Sequence, residues 1–375
     1  MGVISRLFQR SATYMSRWLI GLLSPDAARC LAEIALQHAH TFGPSFLTLD
    51  TNAKTDGPLR YGLVDPVTAE PQGRIAVVVQ GPLVTADDFT FETVRYYQRS
   101  CPEFMLIVST WEGENPCMVA RLRDLGVQVL LSPKPAVAGR YNVNFQSTSS
   151  AAGIAHAIAA GCRFVAKTRA DQRLCAIHAL YGLPALMDAF PPAAGIGQRA
   201  RLISTSYGTY KNNPFHFSDY FLFGDVKDML QYWSPAHDIC KLTRLELNAY
   251  LALSPKFLDY NLYSPERYLI KQFVSSCGEN PPLTVEAWWN VLADRLIVLD
   301  WQQLDVYWPK YAANAARPDL HLNRVVVTNQ VSFAEWVRLV LSSAAERQPP
   351  ERVLDLPAMT ETSLRLMDLP WKLDP

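Results

Sequence analysis

Four short apolar runs separated by three helical patterns constrain the fold of this chain more than any other feature. Ile75-Ala-Val-Val-Val79 is a continuous, mostly β-branched run, of the kind found in strands buried on both faces. Phe104–Val108, Val127–Leu131 and Phe164–Ala166 repeat the pattern, and helices are predicted between them over Asp87–Arg99, Asn115–Leu125 and Asn144–Ala160. Gly126 and Gly161 stop the last two. Strand and helix alternating at this spacing dictate an α/β domain, a parallel sheet with helices on both faces. In such sheets a ligand lies outside the carboxyl ends of the strands. That rule selects Gln80-Gly81-Pro82, Ser109-Thr110-Trp111 and the segment Arg169–Arg173 as one candidate edge.

The fourth strand carries the strongest signal. After Phe164-Val165-Ala166 the chain reads Lys167-Thr-Arg169-Ala-Asp171-Gln-Arg173. Side chains alternate along an extended backbone, so Lys167, Arg169 and Asp171 share a face. Cations at a strand end can hold phosphate oxygens, and a carboxylate there can hold a metal or a sugar hydroxyl. The bland alternative is a solvated strand end laced by local salt bridges.

With 375 residues, 49% of them hydrophobic, the chain can bury a sizeable core, and 19% charged residues do not suggest disorder. A formal net charge of zero argues against a general nucleic-acid binder. Seven scattered cysteines form no CxxC pair, which points to reduced thiols and a cytoplasmic setting. Residues 1–24 carry Arg6, Arg10 and Arg17 and no acid, with Leu7, Phe8, Met15, Trp18, Leu19, Leu22 and Leu23 at roughly helical spacing. Two readings stand: a helix lying on a membrane surface, or one docked on its own domain or a second subunit. A further helix is expected over 25–40 and loop over 43–73.

The second half is less regular. Tyr220–Phe223 is an expected strand, opened by Ser218-Asp219 and closed by Gly224. Helices are expected over Asp225–Trp233, Leu242–Leu253, 284–294 and 331–344, and a strand over Leu296–Leu299. Ser264-Pro265-Glu266 combines a capping serine, a proline at the first helical position and an acid in the first turn, and opens a helix through Ser276. The tail from Gln348 is proline-rich. Asp219 and Glu266 both stand at the start of an element, where a carboxylate can project into a cleft. Each has a purely local alternative, as a turn cap or as a partner for the helix dipole.

Several chemistries lack their motifs. No G-x-G-x-x-G follows the first strand, and there is no P-loop, G-x-S-x-G elbow or H-E-x-x-H. His38, His40, His156, His178, His216, His237 and His321 show no metal-ligand spacing.

The ordered series Ile75–Pro82, Ser109-Thr-Trp-Glu112, Asn142-x-Asn144-x-Gln146-Ser-Thr148, Lys167–Arg173, Ser218-Asp219-x-Phe221-x-Phe223-Gly224, Ser264-Pro-Glu266 and Trp308-Pro-Lys310-Tyr311 resembles the WavE family of lipopolysaccharide-synthesis proteins. The resemblance covers roughly residues 74–312. It implies a GT-A-like glycosyltransferase domain over 74–312, preceded by an N-terminal helical and linker region over 1–73 and followed by an extension over 313–375 packed on the domain. It implies transfer of a sugar from a nucleotide-activated donor to a lipopolysaccharide or capsule acceptor. Where GT-A enzymes carry an acidic D-x-D motif, this chain reads Arg169-Ala170-Asp171, so Arg169 can neutralise phosphate where a divalent Mg or Mn ion would otherwise act. Asp171 is left to hold a metal alone or a donor hydroxyl.

The resemblance also assigns roles. Glu266 is the first choice and Asp219 the second for the base that deprotonates the acceptor hydroxyl. Lys167, Arg169 and Arg173 would stabilise the departing phosphate. Gln80, Gly81, Pro82, Ser109 and Trp111 would line the donor site, Asn144 and Gln146 would reach it from the third helix, and Lys310 and Tyr311 would close over the phosphates. The implied partners are a nucleotide sugar, a glycan or lipid-linked acceptor and the cytoplasmic surface of the inner membrane, with no nucleic acid. Two alternatives stay open: a nucleotidyltransferase that makes an activated sugar, and a non-catalytic nucleotide-sugar-binding component of a glycan assembly complex.

Overall fold

The computed structural model describes residues 73–239, 264–308, 330–343 and 347. All of them lie in the second of two compact units of the chain, Ala69–Pro375. The helices expected over 1–24, 25–40 and Leu242–Leu253, together with Lys310, Tyr311 and the tail, lie outside the described residues.

The elements follow in the order β1 (Ile75–Gln80), α1 (Phe89–Ser100), β2 (Met105–Trp111), α2 (Pro116–Asp124), β3 (Gln128–Ser132), α3 (Val143–Ala159), β4 (Phe164–Arg169) and β5 (Arg173–Leu174). Then come α4 (Leu183–Ala189), β6 (Leu202–Thr205), β7 (Leu222–Asp225), α5 (Val226–Tyr232), α6 (Pro265–Ser276), α7 (Val285–Arg295), β8 (Leu296–Leu299), β9 (Val306–Tyr307) and α8 (Phe333–Leu341). Seven strands form one sheet in the order β3-β2-β1-β4-β7-β6-β8. Strand β1 runs parallel to β2 and β4, β2 to β3, and β6 to β8, whereas β7 is antiparallel to both its neighbours. The α/β expectation is met: the sheet is mostly parallel, and every residue of β1 is buried, so both its faces are covered.

Helix α3 shows how closely one layer sits on the sheet. Its middle is built from Ser147, Ser149, Ser150, Ala151, Ala152 and Gly153. A Cβ added at Gly153 would lie 2.5 Å from Cγ1 of Val78, so only a helix with small residues there can approach β1 this far. The second-half helices obey their start signals. Ser264 Oγ accepts from Arg267 N–H at 3.3 Å and Pro265 begins α6, while Ser332 and Glu335 form a reciprocal capping box at α8.

The chain order reverses between β1 and β4, which flank each other while β2 and β3 extend to one side and β7, β6 and β8 to the other. Gln80 at the end of β1 is in register with Arg169 at the end of β4, and Ala170 N–H donates to Gln80 O at 2.8 Å. A switch of this kind opens a crevice beyond the strand ends.

Three features depart from the expectation. Strand β6 and helix α4 lie between Arg173 and Ser218, where no element is predicted. The expected strand Tyr220–Phe223 begins two residues later, at Leu222. Tyr220 and Phe221 are buried ahead of it, and their apolar character reflects core packing of irregular chain.

Candidate active site

At the carboxyl end of β4 only Lys167 and Arg169 of the expected charged face lie on the strand; the chain turns at Ala170-Asp171, and that turn, not strand alternation, folds Asp171 back onto Arg169. Arg169 and Asp171 are joined by two parallel hydrogen bonds, Nε to Oδ1 at 2.8 Å and Nη2 to Oδ2 at 3.0 Å. The guanidinium lies over the Trp308 ring, 5.1 Å from its centre, so the tryptophan of the Trp308-Pro-Lys-Tyr motif reaches this edge. Because β7 is antiparallel, the residues just before it return to the same edge. Asp219 arrives this way, and its Oδ2 accepts from Gln146 Nε2 of α3 at 2.7 Å. Glu266, in the first turn of α6, completes the group. Its side chain keeps one quarter of its surface exposed, yet burial and the neighbouring Asp219 carboxylate push its pKa up to about 8. Two carboxylates sharing a poorly hydrated site resist being ionised together.

The cations divide into three situations. Lys167 is fully enclosed, donates from Nζ to the main-chain oxygen of Asp219 at 2.8 Å, and sits 4.4 Å from the centre of the Trp233 ring. Burial lowers its pKa to about 7. It therefore fixes the backbone that carries Asp219, and a donor phosphate cannot reach it in this conformation. Arg173 also differs from the expectation. It begins β5, and its guanidinium packs over Phe89 and donates from Nε to Thr93 Oγ1 at 3.1 Å on α1. Arg169, with 28% of its side chain exposed, is the cation that faces the crevice.

Other expected donor contacts are spent within the fold. Ser109 Oγ donates to Ser149 O at 2.7 Å and Gln80 Nε2 to Ser149 Oγ at 2.8 Å, so both tie the sheet to α3. Asn144 donates to Val137 O and Asp238 O and accepts from Asp238 N–H, and its amide is consumed in holding two loops together. Trp111 is buried edge-on against Phe145. Gly81, at φ +115, turns the chain out of β1, and Pro82 after it is exposed.

Sequence reasoning missed four residues. Tyr232, at the end of α5, is fully buried, and its hydroxyl has no hydrogen-bond partner among the described residues. Burial, then the charges of Asp219 and Glu266, push its pKa well up. Trp233 is the platform under Lys167. His216 faces Glu266, with Nε2 and Oε2 3.9 Å apart. Glu114 accepts from Thr110 Oγ1 and from Leu83 N–H, which couples the turns after β1 and β2. Helical or strand periodicity reports none of these, because each acts across elements distant in sequence.

The donor set does not suit a divalent ion. Both oxygens of Asp171 are engaged by Arg169, so a guanidinium already stands where a metal charge would. Among the described residues no three His, Cys, Asp or Glu side chains are placed to hold one metal ion together. A separate cavity of about 390 Å³ lies at the other end of β4, lined by Arg163, Phe164, Met187, Asp188, Arg199 and Asp225 among others, away from these carboxylates. Proximity to the charged strand end, and not cavity size, identifies the candidate site.

Comparison with known proteins gives one match at the level of family: the description "WavE lipopolysaccharide synthesis" fits residues 75–355. No curated protein matches the chain. Solved structures with some likeness include glucosyl-3-phosphoglycerate synthase from Mycobacterium tuberculosis in complex with Mn2+, UDP and glucosyl-3-phosphoglycerate, at 14% identity and TM-score 0.31, covering 55% of this chain and 81% of that one. Another is mannose-1-phosphate geranyltransferase from Thermus thermophilus, at 16% identity and TM-score 0.22, covering 43% and 52%. Likeness at these scores bears on neither mechanism nor substrate.

Proposed function

Since the chain belongs to the WavE lipopolysaccharide synthesis family, we propose that it is a glycosyltransferase that moves a sugar from a nucleotide-activated donor to a surface-glycan acceptor. The observation that carries this reading is the meeting of Glu266, Asp219 and the Arg169–Asp171 pair at the switch-point edge of the sheet. A sugar hydroxyl is a poor nucleophile, and a carboxylate whose pKa lies near neutrality is matched to taking its proton. Glu266 accepts the proton as the acceptor oxygen bonds to the anomeric carbon. The bond from that carbon to the donor phosphate breaks, and its electron pair leaves with the phosphate. Arg169 faces the charge that develops there. Gln146 and Lys167 hold Asp219 by its carboxylate and its main chain, so the second acid positions the site and raises the basicity of the first.

Catalysis at the cytoplasmic face of the inner membrane would place the enzyme beside a lipid-linked acceptor, and the basic residues of 1–24 are the proposed contact. Among the described residues no helix is long and apolar enough to cross a membrane.

The test is a thermal-shift and hydrolysis screen of the full chain against UDP-, GDP-, CMP- and dTDP-sugars, with and without Mg2+ or Mn2+. A ligand that binds only the folded state raises the melting temperature. At least one nucleotide sugar is expected to raise it and to be hydrolysed slowly. Stabilisation without hydrolysis or transfer would favour a binding role, and release of pyrophosphate from a sugar phosphate and a nucleoside triphosphate would favour nucleotidyl transfer.

A further inference from the structure

The irregular segment between β6 and β7 is held by an unusual number of buried polar groups. Arg267 of α6, 3% exposed, donates from Nε to Pro214 O at 2.7 Å and from Nη2 to Asn213 Oδ1. Trp288 and Trp289 of α7 donate their indole N–H groups to Tyr210 O and Lys211 O at 2.7 and 3.1 Å. Lys211 pairs with Glu335 at the start of α8. Phe215 is fully buried with φ +61, a left-handed conformation that is costly for an aromatic residue and persists only where the surroundings enforce it. These supports fix the chain from Tyr210 to Phe215, immediately ahead of His216.

The ring of His216 is oriented from one side. Its Nδ1 lies 2.7 Å from the carbonyl oxygen of Gly208, so Nδ1 carries the proton and donates. Gly208 is itself constrained: it has φ +84, and a Cβ there would lie 3.1 Å from Ser218 Oγ. Tyr210 packs against the ring, with centres 4.7 Å apart. The other nitrogen, Nε2, is left with its lone pair toward Glu266 Oε2, 3.9 Å away. Burial keeps the ring neutral, with its pKa lowered to about 4 and the Arg267 cation acting in the same direction.

We propose that His216 is a positioning residue for Glu266, whose Nε2 accepts the hydrogen bond of the Glu266 carboxyl once that group has taken the acceptor's proton. The inference rests on the reading of Glu266 as the base. It explains why so much buried structure is devoted to a neutral imidazole with a fixed tautomer: a lone pair facing the carboxylate favours the state that proton abstraction creates. The present separation is too long for a direct hydrogen bond, and such bonds commonly tighten only when substrate is bound. The other charged or titratable groups around Glu266 are Asp219 ahead of β7, Lys167 and Arg169 of β4, Tyr232 of α5 and Arg267 of α6. Burial and Asp219 favour the protonated carboxyl, whereas the Glu266 main-chain N–H, the Ser264 hydroxyl and then Arg169 favour the ionised one.

The test needs no substrate. In full-length protein with 13C-labelled glutamate carboxyls, the Glu266 resonance is identified by its loss in Glu266→Gln and titrated in wild type and in His216→Asn. Asparagine can still donate to Gly208 O but offers nothing at the Nε2 position. The titration midpoint is expected to fall by about one pH unit, roughly tenfold in proton affinity, because a hydrogen bond to the neutral form raises a carboxyl pKa. An unchanged or higher midpoint in a folded His216→Asn protein overturns the proposal. The histidine tautomer is read independently in wild type from long-range 1H–15N correlations. Protonation at Nδ1 supports the proposal, and protonation at Nε2 overturns it even where His216→Asn does not fold. Failure of the underlying reading is distinct: transfer would then survive Glu266→Gln while the His216 effects on the Glu266 midpoint remained.

Discussion

The sheet edge from β1 to β3 and the irregular segment that precedes β7 treat their polar residues in opposite ways. In the first region the strands and helices are regular, and polar side chains at their ends turn inward. Ser109, Gln80 and Asn144 all bond within the scaffold. In the second region the backbone is irregular and is held from outside by Arg267, Trp288 and Trp289. Of its side chains, His216 uses Nδ1 on Gly208 O and turns Nε2 toward Glu266, and Asp219, held by Gln146, acts on the same carboxyl. Regular elements satisfy themselves and use their polar termini as fasteners. A segment fastened by its neighbours can present chemistry instead.

This contrast can be broken by substitution. Glu266→Gln keeps the shape and removes the proton acceptor, so transfer should fall by about two to four powers of ten with an unchanged melting curve. Near-normal turnover would reduce Glu266 to a helix-start residue. Arg267→Leu removes a buried guanidinium that supports two groups of the irregular segment, and should cost on the order of 3 kcal/mol in chemical denaturation. A loss below 1 kcal/mol would mean that the segment holds itself.

Asp219→Asn sharpens the comparison through pH. As the proposed base Glu266 would act in its ionised form, and its raised pKa of about 8 arises first from burial and then from Asp219. Activity in the wild type should therefore climb as pH rises toward 8. Neutralising Asp219 removes the second cause, so the acid limb of the rate profile should move to lower pH while its depth is kept. A limb that does not move would show that the two carboxylates do not interact. The smallest effect is expected at Ser109→Ala, about 1 kcal/mol of stability for one lost hydrogen bond. The melting-temperature increment produced by the best nucleotide sugar should stay the same, and a smaller increment would return Ser109 to the donor site.

The parts of the fold that were legible in the sequence are those with local causes. Ser264-Pro265-Glu266 specifies a helix start by capping chemistry, and α6 begins at Pro265. The apolar run at Leu296–Leu299 is strand β8 over those same residues. Strand β6 escaped notice because Leu-Ile-Ser-Thr is four residues long and follows a stretch of Pro, Ala and Gly. The charges at the end of β4 were legible as a group, but the turn at Ala170-Asp171 that pairs Asp171 with Arg169 and the separate fates of the cations were not. Lys167, Arg169 and Arg173 look equivalent in the sequence. Only the arrival of Trp233 over one and Phe89 under another distinguishes the enclosed groups from the one facing the crevice. His216 gave no signal at all, since its partners are a carbonyl of its own irregular segment and a carboxylate fifty residues away.

The reversed direction of β7 has a consequence for the order in which the molecule can assemble. Strands β1 and β2 pair across a short parallel crossover and need nothing from the second half. Strand β4 joins them carrying an ammonium whose main-chain acceptor lies 52 residues further on. During synthesis that charge has no native partner until the antiparallel strand has emerged and folded back. Burial of β4 is thus tied to the return of β7: Lys167 gains its native acceptor only as the backbone of Asp219 comes into place.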